Sequence, residues 1–465
     1  MKEAIVLYPA PSFPHLVSIV ELGKLIHHHH QSHFSIIILV PSMPNSSLST
    51  TTSSYINHQT NSESISFLSL PPLQQPNITP FDSIPINALT VVETLKTLSS
   101  SFTLLALITS NLHQNLKKTH IPIYFYFTSC ASSLAFFLYL PTFHTQTTQS
   151  FKDLTQDQNP FLKFPGLPLL SASFMPEPVM NRDTPSYNFF LSFASCLLET
   201  KGLIVNTFDL LEPSAIEAIR DGTCVPNDQT PPIFCIGPLI STAKDYANAK
   251  AKANEACDCL AWLDQQPSQS VVFLCFGSKG VFCEVQIKEI AMGLERSSHR
   301  FLWVVKSPLG LDTEPILEDL LPHGFLERTK EKGLVLKSWA PQNAILSHES
   351  VGGFVTHCGW NSVLEAVRYG VPMVAWPLYA EQHMNSVVMV KEMKVAMSIF
   401  GEEKSSKMVS AEEVERRVRA LMEFEEGKVV RKRCLEVKEM AMAAWSKGGS
   451  SFNAFTHLVC SWKHG

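Results

Sequence analysis

No uninterrupted apolar run in this chain approaches the roughly 18–20 residues that a membrane-spanning helix requires, so no membrane span is expected. Basic residues are not in excess: 37 Lys and Arg stand against 42 Asp and Glu, a formal net charge of −5. A nucleic-acid partner, which demands a basic footprint, is therefore not expected, and the one short basic run, residues 428–433, reads as a solvated helix face. Charged residues are few, 17% against 45% hydrophobic, which excludes a disordered polyelectrolyte. The closest cysteine pair, Cys257 and Cys259, lacks a second pair of ligands nearby, and the run His27-His28-His29-His30 stands alone at the end of a helical pattern. Neither matches a closed metal shell. With eleven cysteines and a start, Met1 to Tyr8, that reads as a first strand and not a leader, the expectation is a cytoplasmic protein with free thiols.

What is present is material for more than one core. At 465 residues the chain exceeds the roughly 100–200 residues of an ordinary domain, so two domains are expected. Short β-rich runs alternate with helical patterns, which predicts an α/β fold with parallel sheets. The strand-like runs fall at residues 4–8, 35–40, 66–70, 123–128 and 203–206, then at 271–277, 301–305, 335–338, 353–356 and 373–376. Each set suits a doubly wound sheet. Between them, residues 221–261 carry four prolines followed by a polar, alanine-rich stretch, which marks the linker. The expected organisation is a first Rossmann-like domain at 1–240, a linker at 241–260, a second at 261–440, and a C-terminal helix at 441–465 packing back on the first. Open α/β sheets take ligands at the carboxyl ends of their strands, so two facing sheets predict a cleft between them.

The most informative stretch holds 44 residues, from Trp339-Ala340-Pro341-Gln342 through Thr356-His357-Cys358-Gly359-Trp360-Asn361-Ser362-Val363-Leu364-Glu365 to Trp376-Pro377-Leu378-Tyr379-Ala380-Glu381-Gln382. It resembles, in residues and in length, the signature box of the plant family-1 UDP-dependent glycosyltransferases, enzymes of secondary metabolism with the GT-B fold. Phe276-Gly277-Ser278, Tyr126-Phe127-Thr128-Ser129, Pro165-Gly166-Leu167-Pro168, Asn206-Thr207-Phe208, Ile236-Gly237-Pro238-Leu239 and Gly448-Gly449-Ser450-Ser451 extend the likeness almost end to end. Among branches it is most similar to legume flavonoid and isoflavone 7-O-glucosyltransferases. The resemblance implies UDP-glucose as co-substrate, no cofactor, a small aromatic acceptor, and a donor site of Ser278, Trp339, Ala340, Gln342, His357, Trp360, Asn361, Ser362, Glu365, Glu381 and Gln382. Trp360 together with Gln382 goes with glucose, relatives that use glucuronic acid having Arg at the Trp360 position.

The chemistry of these residue types fits. A glycine turn at Gly359 leads into a helix whose start is marked by Asn361 and Ser362, both capping residues, and a helix start suits a diphosphate. His357 can donate to a phosphate oxygen as the leaving group gathers charge. Trp339 offers a face to uracil, Gln342 an amide to the base or ribose edge, Glu365 an acceptor for the ribose diol, and Glu381 with Gln382 a donor–acceptor set for sugar hydroxyls. No two aspartates are separated by one residue, so the DxD pair that many other glycosyltransferases use for a metal is missing. Metal-independent transfer is expected.

His15, after the first strand, matches the family's catalytic histidine and is the natural base near neutral pH. Two features depart from that pattern. Phe13 and Pro14 stand where glycine usually precedes the histidine, and the aspartate that the family pairs with it is missing. Between Asp82 and Asp153 the only acid is Glu93, and residues 104–120 read as shortened, as though part of the strand and helix carrying that aspartate were lost. Three functions therefore stay open: O-glucosylation with an unpaired or differently paired base and inversion at the sugar; C-glucosylation of a polyphenol; or a UDP-sugar-binding protein impaired in turnover. Phe125, Phe189, Phe190 and Tyr379 are the acceptor-side candidates, with Phe127 and Phe193 as further apolar walls.

Overall fold

A computed structural model describes residues 1–29, 34–41, 47–59, 65–73, 80–156, 160–241, 253–308, 314–400 and 408–463. The first half builds a seven-stranded parallel sheet from β1 (Lys2–Tyr8), β2 (Ser35–Val40), β3 (Ile65–Ser69), β4 (Phe102–Thr109), β5 (Ile123–Phe127), β8 (Gly202–Val205) and β9 (Ile233–Cys235), in the order β3-β2-β1-β4-β5-β8-β9. The short β6 (Phe161–Leu162) and β7 (Leu170–Ser171) pair antiparallel beside it. The second half holds a six-stranded parallel sheet of β10 (Val271–Cys275), β11 (Arg300–Val305), β12 (Gly333–Lys337), β13 (Val351–Thr356), β14 (Met373–Ala375) and β15 (Ala396–Ser398), ordered β12-β11-β10-β13-β14-β15. Helices cover both faces, which is why the central strands are unbroken apolar runs: all five residues of β10 and all six of β13 are buried.

Both orders reverse direction once, between β1 and β4 in the first sheet and between β10 and β13 in the second. A crevice opens at such a switch point, beyond the carboxyl ends of the two strands. In each sheet, therefore, two particular loops are singled out by topology before any side chain is considered.

Three expectations need correction. β4 was not among the expected strands, yet it runs for eight residues, seven of them paired with β1 from Lys2↔Phe102 to Tyr8↔Thr109, and only the short 3₁₀ turn Gln114–Lys118 separates it from β5. β9 and β15, three residues each, were not expected, being too short for periodicity to register. The expected linker at 241–260 ends too late: the helix Ala253–Asp264 occupies its final part, while residues 242–252 lie outside the described residues, as does His30 of the histidine run.

The chain crosses between the halves more than once. The helix Glu425–Ala444 buries Val430, Cys434 and Val437 in the core of the second half. The helix Ser450–Lys463 then buries Phe455, Leu458, Val459 and Trp462 against Ile5, Ile36 and Tyr124 of the first. Ser461 Oγ lies 2.9 Å from Tyr124 Oη, and Ser451 Oγ donates to Gly237 O at 2.6 Å.

A candidate active site between the two sheets

The residues singled out by sequence gather at the carboxyl ends of the two sheets, with His15, Ser278 and His357 at the switch points themselves. His15 follows β1 at the start of the helix Phe13–His29, and Ser110 directly follows β4. Facing them, Ser278 lies in the exposed loop after β10 and His357 in the turn after β13. Trp339 follows β12, Glu381 ends the loop after β14, and Gln382 opens the helix Gln382–Lys391.

His357 is held by shape. Its ring lies between two glycines: a Cβ added to Gly277 or to Gly359 would come within 2.4 Å of its Nε2. The turn that aims it needs a left-handed residue at Cys358, φ 65°, fixed by Asn385 Nδ2 donating to the Cys358 carbonyl at 3.0 Å. Ser338 and Ala380, which precede Trp339 and Glu381, are also left-handed at φ 63° and 54°. Such backbone costs of order 1–3 kcal/mol per residue and persists only where the surroundings over-determine it. Burial, then the nearby Lys306 ammonium, lower the His357 pKa to about 4, so the ring is neutral at physiological pH. Lys306 is held by donating to the Gly277 carbonyl. Among the described residues the buried His357 Nδ1 meets no hydrogen-bond partner.

The helix Trp360–Tyr369 begins with Gly359 as its cap, and no side chain caps it. This corrects the reading of Asn361 and Ser362 as caps: they lie inside the first turn, and Ser362 Oγ instead accepts from Gln342 Nε2 at 2.8 Å. The same amide reaches Glu365 Oε2 at 2.7 Å. Burial pushes the Glu365 pKa up to about 7, with the Gln342 bond pulling it down. Asn361 and Glu365 border a small cavity whose opposite wall is Ser18 and Glu21 of the first half. Trp339 is half-buried and Ala340 buried. Gln382 Oε1 accepts from the N–H groups of Leu378 and Tyr379 at 3.0 and 3.1 Å, while Glu381 Oε1 accepts from Ser129 Oγ across the junction at 2.9 Å.

Trp360 differs from expectation. Its side chain is only 3% exposed and its Nε1 donates to the Asn206 carbonyl of the first half at 2.7 Å. Its N–H is already engaged in joining the halves and is not free for a sugar.

On the other side, His15 Nδ1 lies 3.1 Å from Ser110 Oγ and 3.3 Å from Thr128 Oγ1. Ser110 Oγ in turn accepts from the Ala10 N–H at 2.9 Å. Burial first, and the charge of Lys279 second, lower the His15 pKa to about 4. Glu93, the one acid in the stretch where an aspartate was sought, faces solvent and pairs with Lys96 at 2.8 Å. A differently paired His15 was expected without its partner being identified; Thr128 lay in a motif already quoted, and Ser110 could have been picked out only by placing β4 beside β1.

The acceptor candidates divide. Phe125 and Phe127 are buried core, because β5 is covered on both faces, and the Phe125 ring meets Phe193 edge-on at 5.3 Å. Phe125 is thus no pocket wall. Phe189 and Phe190 are half-buried, with Phe190 stacked on Phe137 at 5.4 Å. Tyr379 lies beside His357, ring centroids 6.3 Å apart, on the donor side and not with the phenylalanines. A groove missed from sequence opens where the loop after β1 enters its helix, lined by Pro11, Phe13, Leu16, Val40, Pro41 and Thr52, with His15 not part of its lining.

Among the described residues no group of three or more His, Cys, Asp or Glu could hold a metal ion, and no helix is long and apolar enough to cross a membrane. Residues 223–428 match the family model described as UDP-glucoronosyl and UDP-glucosyl transferase. The chain is 49% identical to UDP-glycosyltransferase 88F4 of Malus domestica, over 99% of this chain and 100% of that one. It belongs to the UDP-glycosyltransferase family. A phloretin 2'-O-glucosyltransferase of Malus domestica is 48% identical, again over 99% of this chain and 100% of its own length. Among solved structures, Phytolacca americana UGT2 complexed with UDP-2fluoro-glucose and pterostilbene superposes with a TM-score of 0.86 at 34% identity, over 99% of this chain and all of that one. The two parallel sheets of this glycosyltransferase are thus those of the GT-B fold, and its sugar comes from a UDP-sugar co-substrate.

Proposed function

We propose that this glycosyltransferase moves glucose from UDP-glucose to a phenolic hydroxyl of a flavonoid or isoflavone, at the 7-position where the skeleton offers one, with inversion at the anomeric carbon. The observation that carries the reading is the pair of histidines at facing switch points, His15 and His357, both held neutral by burial. A neutral imidazole is a proton acceptor on one side and a hydrogen-bond donor on the other. The relatives named for phloretin and the neighbour carrying pterostilbene support an aromatic phenolic acceptor.

In this mechanism the acceptor lies against His15 in the cleft between the sheets and gives its hydroxyl proton to His15 Nε2. The oxygen forms a bond to the anomeric carbon while the bond from that carbon to the diphosphate breaks, and UDP leaves with the electron pair. The charge that grows on the diphosphate is met by His357, by Ser278 and by the uncapped N–H groups at the start of the helix Trp360–Tyr369. Trp339 stacks on uracil with Ala340 beneath it, Gln342 and Glu365 hold the ribose, with Asn361 at its side, and Glu381 and the Gln382 amide nitrogen hold the sugar hydroxyls. Ser362 orients Gln342, and Trp360 keeps the halves in register. We place the enzyme in the cytoplasm, where the ten described free thiols persist in a reducing medium.

Incubation with UDP-glucose and a flavonoid panel tests the reading: an acid-labile glucoside is expected. An acid-stable product would assign C-transfer, and UDP binding with no product would make the chain a binding protein. His15→Ala is expected to abolish transfer and spare UDP binding, whereas His357→Ala weakens both; unchanged turnover in the first variant removes His15 from the mechanism.

A further inference from the structure

We propose that Ser110, assisted by Thr128, is the positioning residue for His15, and that its meeting the imidazole with a hydroxyl in place of a carboxylate confines the enzyme to acceptors that ionise near neutral pH. This rests on the reading of His15 as the base and adds a rule of acceptor choice to it.

The contact is built, not incidental. Ser110 is 8% exposed, its N–H donates to the Tyr8 carbonyl at 3.1 Å, and its Oγ accepts from the Ala10 N–H. The hydroxyl is thereby pinned between the loops that leave β1 and β4. From there it reaches His15 Nδ1 at 3.1 Å, with Thr128 Oγ1 at 3.3 Å from the same nitrogen.

A carboxylate in this place would only accept. It would put the imidazole hydrogen on Nδ1, leave the Nε2 lone pair free, and stabilise the imidazolium with its charge. A hydroxyl can accept from Nδ1–H or donate to Nδ1. It therefore allows the tautomer with the hydrogen on Nε2, which is no base, and it brings no net charge. Among the described residues no carboxylate bonds the ring: Glu93 is ion-paired with Lys96 at the surface, and Glu381 is engaged by Ser129. The charge that acts on His15 from the facing half is the Lys279 ammonium, of the same sign as an imidazolium. The groups around the ring thus disfavour the protonated form, and a base so weakened takes protons only from an acidic hydroxyl. A phenol conjugated with a carbonyl qualifies; an aliphatic alcohol or a sugar hydroxyl does not.

The test measures kcat and KM with UDP-glucose for a graded series of substituted phenols and one aliphatic alcohol, in the unaltered enzyme, Ser110→Ala, Ser110→Thr and Ser110→Asp. Turnover of the unaltered enzyme is expected to fall steeply as the phenol becomes less acidic. Ser110→Ala is expected to lower kcat about tenfold or more with KM unchanged, and Ser110→Thr to restore it. Ser110→Asp is expected to flatten the acidity dependence and move the acid limb of the pH–rate profile up toward the ordinary histidine range. UDP titration shows which variants are folded; should the aspartate variant not fold, the alanine and threonine pair still decides. The proposal is overturned if Ser110→Ala keeps the kcat and pH profile of the unaltered enzyme, or if the alcohol is glucosylated as fast as the phenols. The underlying reading fails separately, through turnover that survives His15→Ala.

Discussion

Gly277 shows how a single residue governs the donor side. Its φ of +70° and the 2.4 Å approach that a Cβ would make to His357 Nε2 leave no room for any other side chain. Gly277→Ala is expected to push the imidazole off its line, weakening UDP binding at least about tenfold and destabilising the fold by about 1–2 kcal/mol from the left-handed backbone alone; calorimetry and thermal unfolding read the two effects. Glu365 carries a second prediction. Burial raises its pKa to about 7, so in the free protein it is only partly ionised near neutrality, while the role proposed for it, accepting from the ribose diol, calls for the carboxylate. UDP affinity should therefore rise with pH through about 7, with proton release on binding. Glu365→Gln should remove that dependence, and an equal pH dependence in the variant would show that the group is not titrating against the ligand.

At the level of elements, the helix Trp360–Tyr369 has two tasks that its sequence does not separate. Its uncapped first turn faces the donor side, while the indole at its first position reaches back to Asn206. Asn206 is fully buried, so Trp360→Phe leaves its carbonyl without that donor, a loss of about 1–3 kcal/mol that urea unfolding would measure. Transfer should fall more than UDP affinity, because the halves lose register while the donor pocket keeps its shape. Equal losses in both would place Trp360 in the donor pocket after all. β4 teaches a related lesson. Its apolar run has no alternation because its last four residues, 106–109, are all buried at the centre of a parallel sheet, and periodicity cannot tell such a run from a piece of helix. Without β4 among the expected strands Ser110 stayed hidden, since its importance comes from its place next to β1.

For the whole molecule, burial of titratable groups makes stability depend on pH. Free imidazoles take up protons near 6.5, but His15 and His357 resist until about 4. The unfolded chain therefore binds more protons in that window, and stability falls as pH falls through it, by on the order of 3 kcal/mol for the deeply buried His357. Glu365 acts in the opposite sense: its folded pKa of about 7 lies above the ordinary 4.5, so its contribution favours the folded state as pH falls from 7 to 4.5 and offsets one of the two histidines, leaving the other to set the trend. Thermal unfolding from pH 7 to 4 should show a falling midpoint, shallower in His357→Gln and steeper in Glu365→Gln. A midpoint that does not move on acidification would mean that the histidines are not held neutral.

Much of this was decided locally. The α/β class, most of the central strands and the family of the donor box follow from amino-acid order, because apolar runs, turns and a fixed spacing of Trp, His, Glu and Gln are properties of consecutive residues. What stands 95 residues apart along the chain, His15 and Ser110, is joined only when β1 and β4 pair. The same holds for the engagement of Trp360 by Asn206, for the burial that sets both histidines neutral, and for the core position of Phe125. Hydrogen bonding and desolvation depend on which atoms are near in space, and that is settled by strand order and packing.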